Sequence, residues 1–424
     1  MSTLWQPWSL RELVDDLAAG RTTARAARER AETRIARTDP QVRAWVTPVA
    51  ETDASTTGPL TGVPFGVKDI IDVAGHPTRC GSRLRADTAP ATEDAAIVRA
   101  WRATGADVVG KTVTTEFAFF APGPTHNPAA PGHTPGGSSS GSAAAVAAGQ
   151  VPLAIGSQTA GSVTRPAAFC GVASLVMTHG RIPVDGVVGL SPSLDSHGCY
   201  AAGVGDLALA WNALTGERPG EAASPRVLLW SAEPFGGVSD AMREAVDTAR
   251  ARLGAAGAVV DALPEEKLVA ELAAAHPVVM AYEAARERAA ELDHSAQLSA
   301  PLRELLHIGA ATSEADHAAA RATVEAARAR IAALFATYDV VLGPAALGAA
   351  PAGLDATGDP VLSRAWQALG LPVVTVPGLR DADGLPLGVQ AVGPPHGETR
   401  LLAHADRIQA ALTTPTGKEG TESR

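Results

Sequence analysis

Two short motifs in this chain match chemical signatures, and a longer pattern competes with both. Gly105-Ala106-Asp107-Val108-Val109-Gly110-Lys111-Thr112 fits GxxxxGK[ST], a phosphate cradle, letter for letter. Such a cradle needs a strand before it and a helix N-terminus after it, whose backbone N–H groups bind the phosphate. Here a helical stretch precedes, Val108 and Val109 read as buried strand, and the β-branched run Thr112-Val113-Thr114-Thr115 starts a helix poorly. The match is therefore read as chance. Gly137-Ser138-Ser139-Ser140-Gly141 contains GxSxG centred on Ser139, the pattern of a nucleophile elbow. An elbow follows a strand directly, and Pro131-Gly132-His133-Thr134-Pro135-Gly136 cannot be a central strand. The simpler expectation is a serine-rich N-cap for the alanine-rich helix that follows.

The longer pattern starts at Gly136-Gly137-Ser138-Ser139-Ser140-Gly141-Ser142-Ala143 and continues in Gly156-Ser157-Gln158-Thr159-Ala160-Gly161-Ser162-Val163-Thr164-Arg165-Pro166-Ala167. Upstream stands Gly66-Val67-Lys68-Asp69-Ile70-Ile71-Asp72. Downstream stand Ser193-Leu194-Asp195-Ser196-His197-Gly198 and Gly370-Leu371-Pro372-Val373-Val374-Thr375-Val376-Pro377. In this order, over about residues 60 to 410, the segments resemble the amidase signature family. The resemblance implies an α/β fold, a mixed β-sheet core surrounded by helices, and a Ser–cisSer–Lys amidohydrolase without cofactor. It puts the nucleophile at Ser162, the bridging serine at Ser138, 24 residues earlier, and the lysine at Lys68. It further implies a cis peptide at Ser138 and an oxyanion hole from the backbone N–H groups of Thr159, Ala160, Gly161 and Ser162. Gln158, Ser139 and Gly137 are candidate substrate contacts.

The chemistry requires each part. A serine hydroxyl is a poor nucleophile until a base takes its proton. A lysine serves as that base only when neutral, a state favoured by burial and by a nearby cation. Lys68 follows the apolar run Pro64-Phe65-Gly66-Val67, which suits burial. The developing oxyanion needs aligned N–H donors, each worth about 2.7–4 kcal/mol in mutational tests. Taken singly, Lys68 reads as a surface charge, Ser138 as a helix cap and Ser162 as a turn residue. Only their joint order and flanks favour catalysis. Asp69 and Asp195 are expected to buttress the site. Arg165 is expected to orient loops through a buried ion pair, in preference to meeting an anionic substrate group.

The chain departs from the family at Gln158 and Ala160, where Asp and Gly are usual. It departs again at Val176-Met177, which stand at Lys-Pro positions, and at Gly343-Pro344-Ala345, where a Thr-Pro run is usual. These changes lead us to expect a reshaped active-site floor. The alternatives are an amidotransferase or amide synthase, including a glutamyl-tRNA amidotransferase A-like protein, and a catalytically impaired binding homologue. A nucleotide-binding protein using Gly110-Lys111-Thr112 is the reading from a different class.

Composition narrows the field. The 424 residues are 46% hydrophobic and 19% charged, as in a globular chain, with a net charge of −10 that disfavours nucleic acid and anionic membranes. A small-molecule amide is the expected partner, and the oligomeric state, a homodimer included, is open. Eleven histidines show no HxH or HExxH spacing, so no metal is expected. Three cysteines, Cys80, Cys170 and Cys199, without a signal peptide or a run near the length of a membrane span, point to the cytoplasm.

Helices are expected at 8–19, 23–37, 93–104, 138–149, 206–215, 239–256, 264–291, 314–336 and 397–412. Short apolar runs such as 65–67, 106–109, 151–155, 227–230, 340–342, 373–376 and 387–392 read as strands between them. The expected organisation is an N-terminal helical arm (1–57) and a main domain (58–412) carrying an almost wholly helical lobe (239–336). Residues 413–424 read as a disordered tail.

Overall fold

The computed structural model describes residues 4–49, 57–218, 220 and 223–414. Eleven strands among these residues form one sheet. They are β1 (Trp45–Pro48), β2 (Pro64–Lys68), β3 (Asp107–Thr112), β4 (Leu153–Gln158), β5 (Ala173–Val176) and β6 (Ser196–Ala201). They continue with β7 (Arg226–Leu229), β8 (Val259–Ala262), β9 (Val340–Pro344), β10 (Val373–Arg380) and β11 (Pro386–Val392). The order across the sheet is β1-β3-β2-β4-β6-β5-β10-β11-β9-β7-β8. Parallel ladders flank an antiparallel centre: β3-β2-β4 on one side and β9-β7-β8 on the other. Strands β2, β4, β5, β6, β9 and β11 are buried at every residue, as expected when helices cover both faces.

The helices are α1 (Leu10–Ala18), α2 (Ala24–Val42), α3 (Ala96–Ala103), α4 (Ser140–Ala147), α5 (Thr164–Cys170), α6 (Val204–Thr215) and α7 (Asp240–Ala255). They continue with α8 (Glu266–Glu287), α9 (Ala289–Leu292), α10 (Ala300–Ala311), α11 (Glu314–Leu334), α12 (Val361–Ala368) and α13 (Glu398–Thr413). The mixed α/β fold is the one the sequence implied. Ser9 caps α1 by accepting the Glu12 N–H at 3.3 Å.

The serines at the start of α4 behave otherwise than expected. None caps the helix by its side chain. Ser142 instead donates to the Ile155 carbonyl at 2.8 Å and lies 2.7 Å from the Thr112 hydroxyl, stitching α4 to β4 and β3. Gly141 lets the chains touch, because a Cβ there would lie 2.4 Å from Val113 N.

Several short elements were not anticipated: α5, α10, α12, β1, β5, β6 and β8. The block 239–336 is mainly helical, carrying α7 to α11, and it also contributes the sheet-edge strand β8. The helical arm likewise contributes β1, which pairs with β3. The polar stretch 52–60 lies mostly outside the described residues, as does the expected tail beyond residue 414. One helix, α8, is long and apolar enough by length and composition to cross a membrane, contrary to the sequence expectation. Most of its apolar residues are buried inside the protein, where it packs on α10, α11 and α12.

Candidate active site

The carboxyl ends of the neighbouring parallel strands β2 and β4 open on one cleft, the usual place for a site in such sheets. Lys68 ends β2. The segment after β4 carries Thr159, Ala160, Gly161 and Ser162 into α5, and the loop before α4 carries Ser138. Ser138, Ser162 and the three residues before Ser162 all line the cleft, a narrow one of about 310 Å³ with the open solvent at its mouth included. Phe119, Phe120, Leu190 and Met280 supply its apolar wall.

Lys68 has no exposed surface. Its Nζ donates to Ser138 Oγ at 2.7 Å, to Ser157 Oγ at 2.8 Å and to the Ser157 carbonyl at 3.4 Å. Burial lowers its pKa from 10.5 to about 7, against the attraction of Asp195 and Cys80. The second cause expected from sequence, a nearby cation, does not contribute. The Gly137–Ser138 peptide is cis. Ser162 is nearly buried, and its carbonyl accepts from Ser139 N at 3.3 Å and Tyr200 Oη at 3.2 Å.

Among the described residues, the N–H groups of Thr159, Ala160, Gly161 and Ser162 donate to no protein acceptor. Four consecutive unpartnered donors beside a cleft are an arrangement able to receive a negative oxygen. The Ser162 hydroxyl makes no hydrogen bond to Ser138. Contacts of this kind are commonly long in an unliganded site and tighten on binding.

Asp195 buttresses this segment. Its Oδ1 accepts from Thr159 Oγ1 at 2.5 Å, and its Oδ2 accepts from Leu190 N and Ser191 N at 2.7 and 3.0 Å. Asp69 faces Lys111 at 3.0 Å. Arg165 makes no ion pair among the described residues. It donates to the carbonyls of Thr357 at 2.6 Å and Gly137 at 2.7 Å. Its Nη1 has no partner and stands 3.1 Å from the Cβ position of Gly161, at the cleft.

Two candidate substrate contacts face away from the cleft. The Gln158 amide is consumed internally: Oε1 accepts from Val163 N and Thr164 N, and Nε2 donates to Gln367. Ser139 is fully buried, donating to the Ser157 carbonyl at 3.2 Å and accepting from Ser157 N at 3.3 Å. That burial also removes the elbow reading. Gly137 serves through its carbonyl, held by Arg165. The phosphate-loop reading falls as well, because residues 107–112 are strand β3. Val176 and Met177 are buried in or beside the sheet, not in the cleft wall, so this departure does not reshape the floor. Ala160 does line the cleft.

Sequence reasoning missed Ser157, Tyr200, Gln367, His276 and Glu283. Ser157 sits within a quoted motif, one residue before Gln158. Glu283 stands in the run Met280-Ala281-Tyr282-Glu283, which reads from sequence as packing, and Tyr200, Gln367 and His276 have no spacing that could have marked them.

The Amidase family model matches residues 23–402. AtzE, the 1-carboxybiuret hydrolase subunit of Pseudomonas sp. (strain ADP), is 33% identical, with 94% of this chain and 97% of that protein covered. A glutamyl-tRNA(Gln) amidotransferase subunit of Anaeromyxobacter sp. (strain K) is 35% identical, with 83% of each covered. A crystal structure of an amidase superposes with a TM-score of 0.85 at 30% identity, over 95% of this chain and 99% of that one. The chain belongs to the amidase signature family and is an enzyme of the amidase class.

Proposed function

We propose that this chain is an amidohydrolase that cleaves a carboxamide C–N bond through an acyl-enzyme on Ser162. The reading rests above all on Lys68 Nζ, sealed from water 2.7 Å from Ser138 Oγ at the cleft that Ser162 lines. An amine that loses its proton near pH 7 is suited to accept one. Neutral Lys68 takes the Ser138 proton as Ser138 takes that of Ser162, and Ser162 Oγ adds to the carbonyl carbon. The free N–H groups of Thr159, Ala160, Gly161 and Ser162 receive the oxyanion. As the C–N bond breaks, the proton on Lys68 passes back through Ser138 to the departing amine. Water then repeats the sequence on the ester, releasing the acid and restoring Ser162.

The unpartnered Nη1 of Arg165 favours an acyl group with an acceptor oxygen near the scissile carbonyl, and the small cleft favours a compact one. Three free, buried thiols fit a reducing, cytoplasmic setting. A second reading keeps the acyl-enzyme but gives the acyl group to an amine, as the likeness to an amidotransferase favours. Product analysis with and without added amine separates the two.

The test of the acyl-enzyme is labelling by a fluorophosphonate probe with peptide mapping. Label on Ser162, absent in Lys68→Ala, is the expected result. Label on another serine, or on none, overturns the assignment.

A further inference from the structure

The Thr159–Ala160 peptide is gripped by α8, a helix that no sequence motif marks. His276, on α8, is fully buried, and its Nε2 stands 2.8 Å from the Thr159 carbonyl oxygen. A carbonyl oxygen has no proton to give, so the ring donates from Nε2. Burial lowers the imidazole pKa to about 4, which keeps the ring neutral at ordinary pH. The Thr159 carbonyl and the Ala160 N–H belong to one planar peptide unit and point in opposite directions. Holding the oxygen therefore fixes the direction of an N–H that has no partner within the described residues and borders the cleft.

The same helix reaches this segment by a second route. Glu283, two turns further along α8, accepts from the Ser191 and Ser193 hydroxyls at 2.7 Å each and from Ser193 N at 3.0 Å. That loop carries Asp195, which holds the Thr159 hydroxyl. The helix itself has little room to shift. At Gly309 of α10, a Cβ would lie 1.8 Å from the Ala281 carbonyl oxygen, so α8 and α10 meet backbone to backbone.

We propose that His276 is a positioning residue for the oxyanion hole, its Nε2–H setting the Thr159–Ala160 peptide plane before substrate arrives. This rests on the reading of Ser162 as nucleophile. Preorganised donors are worth most when they need not turn during the reaction. Ala160 stands where the family usually has glycine, and the neighbouring helix would supply the restraint on this peptide from outside the segment.

The test compares wild type, His276→Gln and His276→Leu by the saturable kinetics of fluorophosphonate labelling, with melting temperature as a check on folding. The Leu variant should lose about ten- to hundredfold in the maximal labelling rate, with the half-saturating probe concentration nearly unchanged. The Gln variant, whose side-chain N–H can reach the same oxygen, should recover most of the loss. A purely structural role would lower the melting temperature without this split or rescue. A folded Leu variant that labels at the wild-type rate overturns the proposal while leaving Ser162 as the nucleophile. Equal losses in Gln and Leu overturn it too. Should Leu fail to fold, His276→Asn replaces it, its amide one carbon shorter, and activity equal to that of the Gln variant overturns the proposal. Absence of label from Ser162 in wild type overturns the nucleophile reading and this role together.

Discussion

Two lysines lie fully buried on neighbouring strands, one facing a carboxylate and the other facing none. Lys68 ends β2 and Lys111 lies on β3, where the ladder sets it against Val67. Lys111 meets the Asp69 carboxylate and the Thr78 hydroxyl, each at 3.0 Å. Lys68 meets only uncharged oxygens, those of Ser138 and Ser157. A buried ammonium needs a counter-ion to offset its lost hydration. Lys111 has one within contact and serves as a structural tie between β3 and the chain after β2. Lys68 feels Asp195 only from beyond contact, and burial brings its pKa down to about 7. The residue type and the burial are the same; the partner separates a structural cation from a proposed base.

Exchanging each lysine for methionine is the strongest way to break this comparison. Lys68→Met should slow Ser162 labelling by about 10²–10⁴-fold, the usual worth of a general base. Its melting temperature should not fall, because apolar volume replaces an amine with no counter-ion. A Lys68→Met protein that labels normally would end the base assignment. Lys111→Met should do the reverse, leaving Asp69 buried and unpaired at a cost of about 3–5 kcal/mol in urea unfolding. Adding Asp69→Leu should recover much of that loss, and additive losses in the double variant would mean that the two residues are not coupled.

Two further measurements sharpen the comparison. The labelling rate should rise with pH through about 7 and then level off, since only the neutral amine accepts a proton. A limb near 10.5, the ordinary lysine value, would show that burial does not neutralise Lys68. The smallest effect is expected from Ser157→Ala, which removes an acceptor 2.8 Å from Nζ. That bond favours the charged amine, so its loss should move the limb to lower pH. A hydrogen bond worth about 0.5–1.5 kcal/mol sets the movement at about half to one pH unit. An upward movement would contradict the role assigned to that hydrogen bond.

The legible parts of the fold were the long, periodic or apolar segments. Helices α2, α7, α8 and α11 and the buried strands β2, β4 and β11 lie where the sequence pattern puts them. The parts that escaped were short or ambiguous. Strand β8 is four residues long and mostly exposed, and it lies within an alanine-rich block. Strands β5 and β6 mix small and polar residues whose burial comes from being central in the sheet. The serine run that opens α4 looked like a cap because capping is local chemistry, whereas the Ser142 hydroxyl within it answers to β3 and β4. The phosphate-loop letters at 105–112 are overruled by the same apolar pattern that makes β3 a strand.

The amino-acid order by itself determined which groups can react and their spacing along the chain: Lys68 after an apolar strand, paired glycines before Ser138, and Ser162 24 residues further on. It also determined the mixed α/β class, because hydrophobic period is a local property of the chain. Tertiary structure alone decided which buried lysine lacks a counter-ion, which serines turn inward, and which helix grips the Thr159–Ala160 peptide. Those outcomes depend on contacts across 70 residues from Lys68 to Ser138, 89 from Lys68 to Ser157 and 117 from Thr159 to His276. Desolvation and hydrogen-bond geometry arise only when such distant segments pack together, and no local pattern carries them.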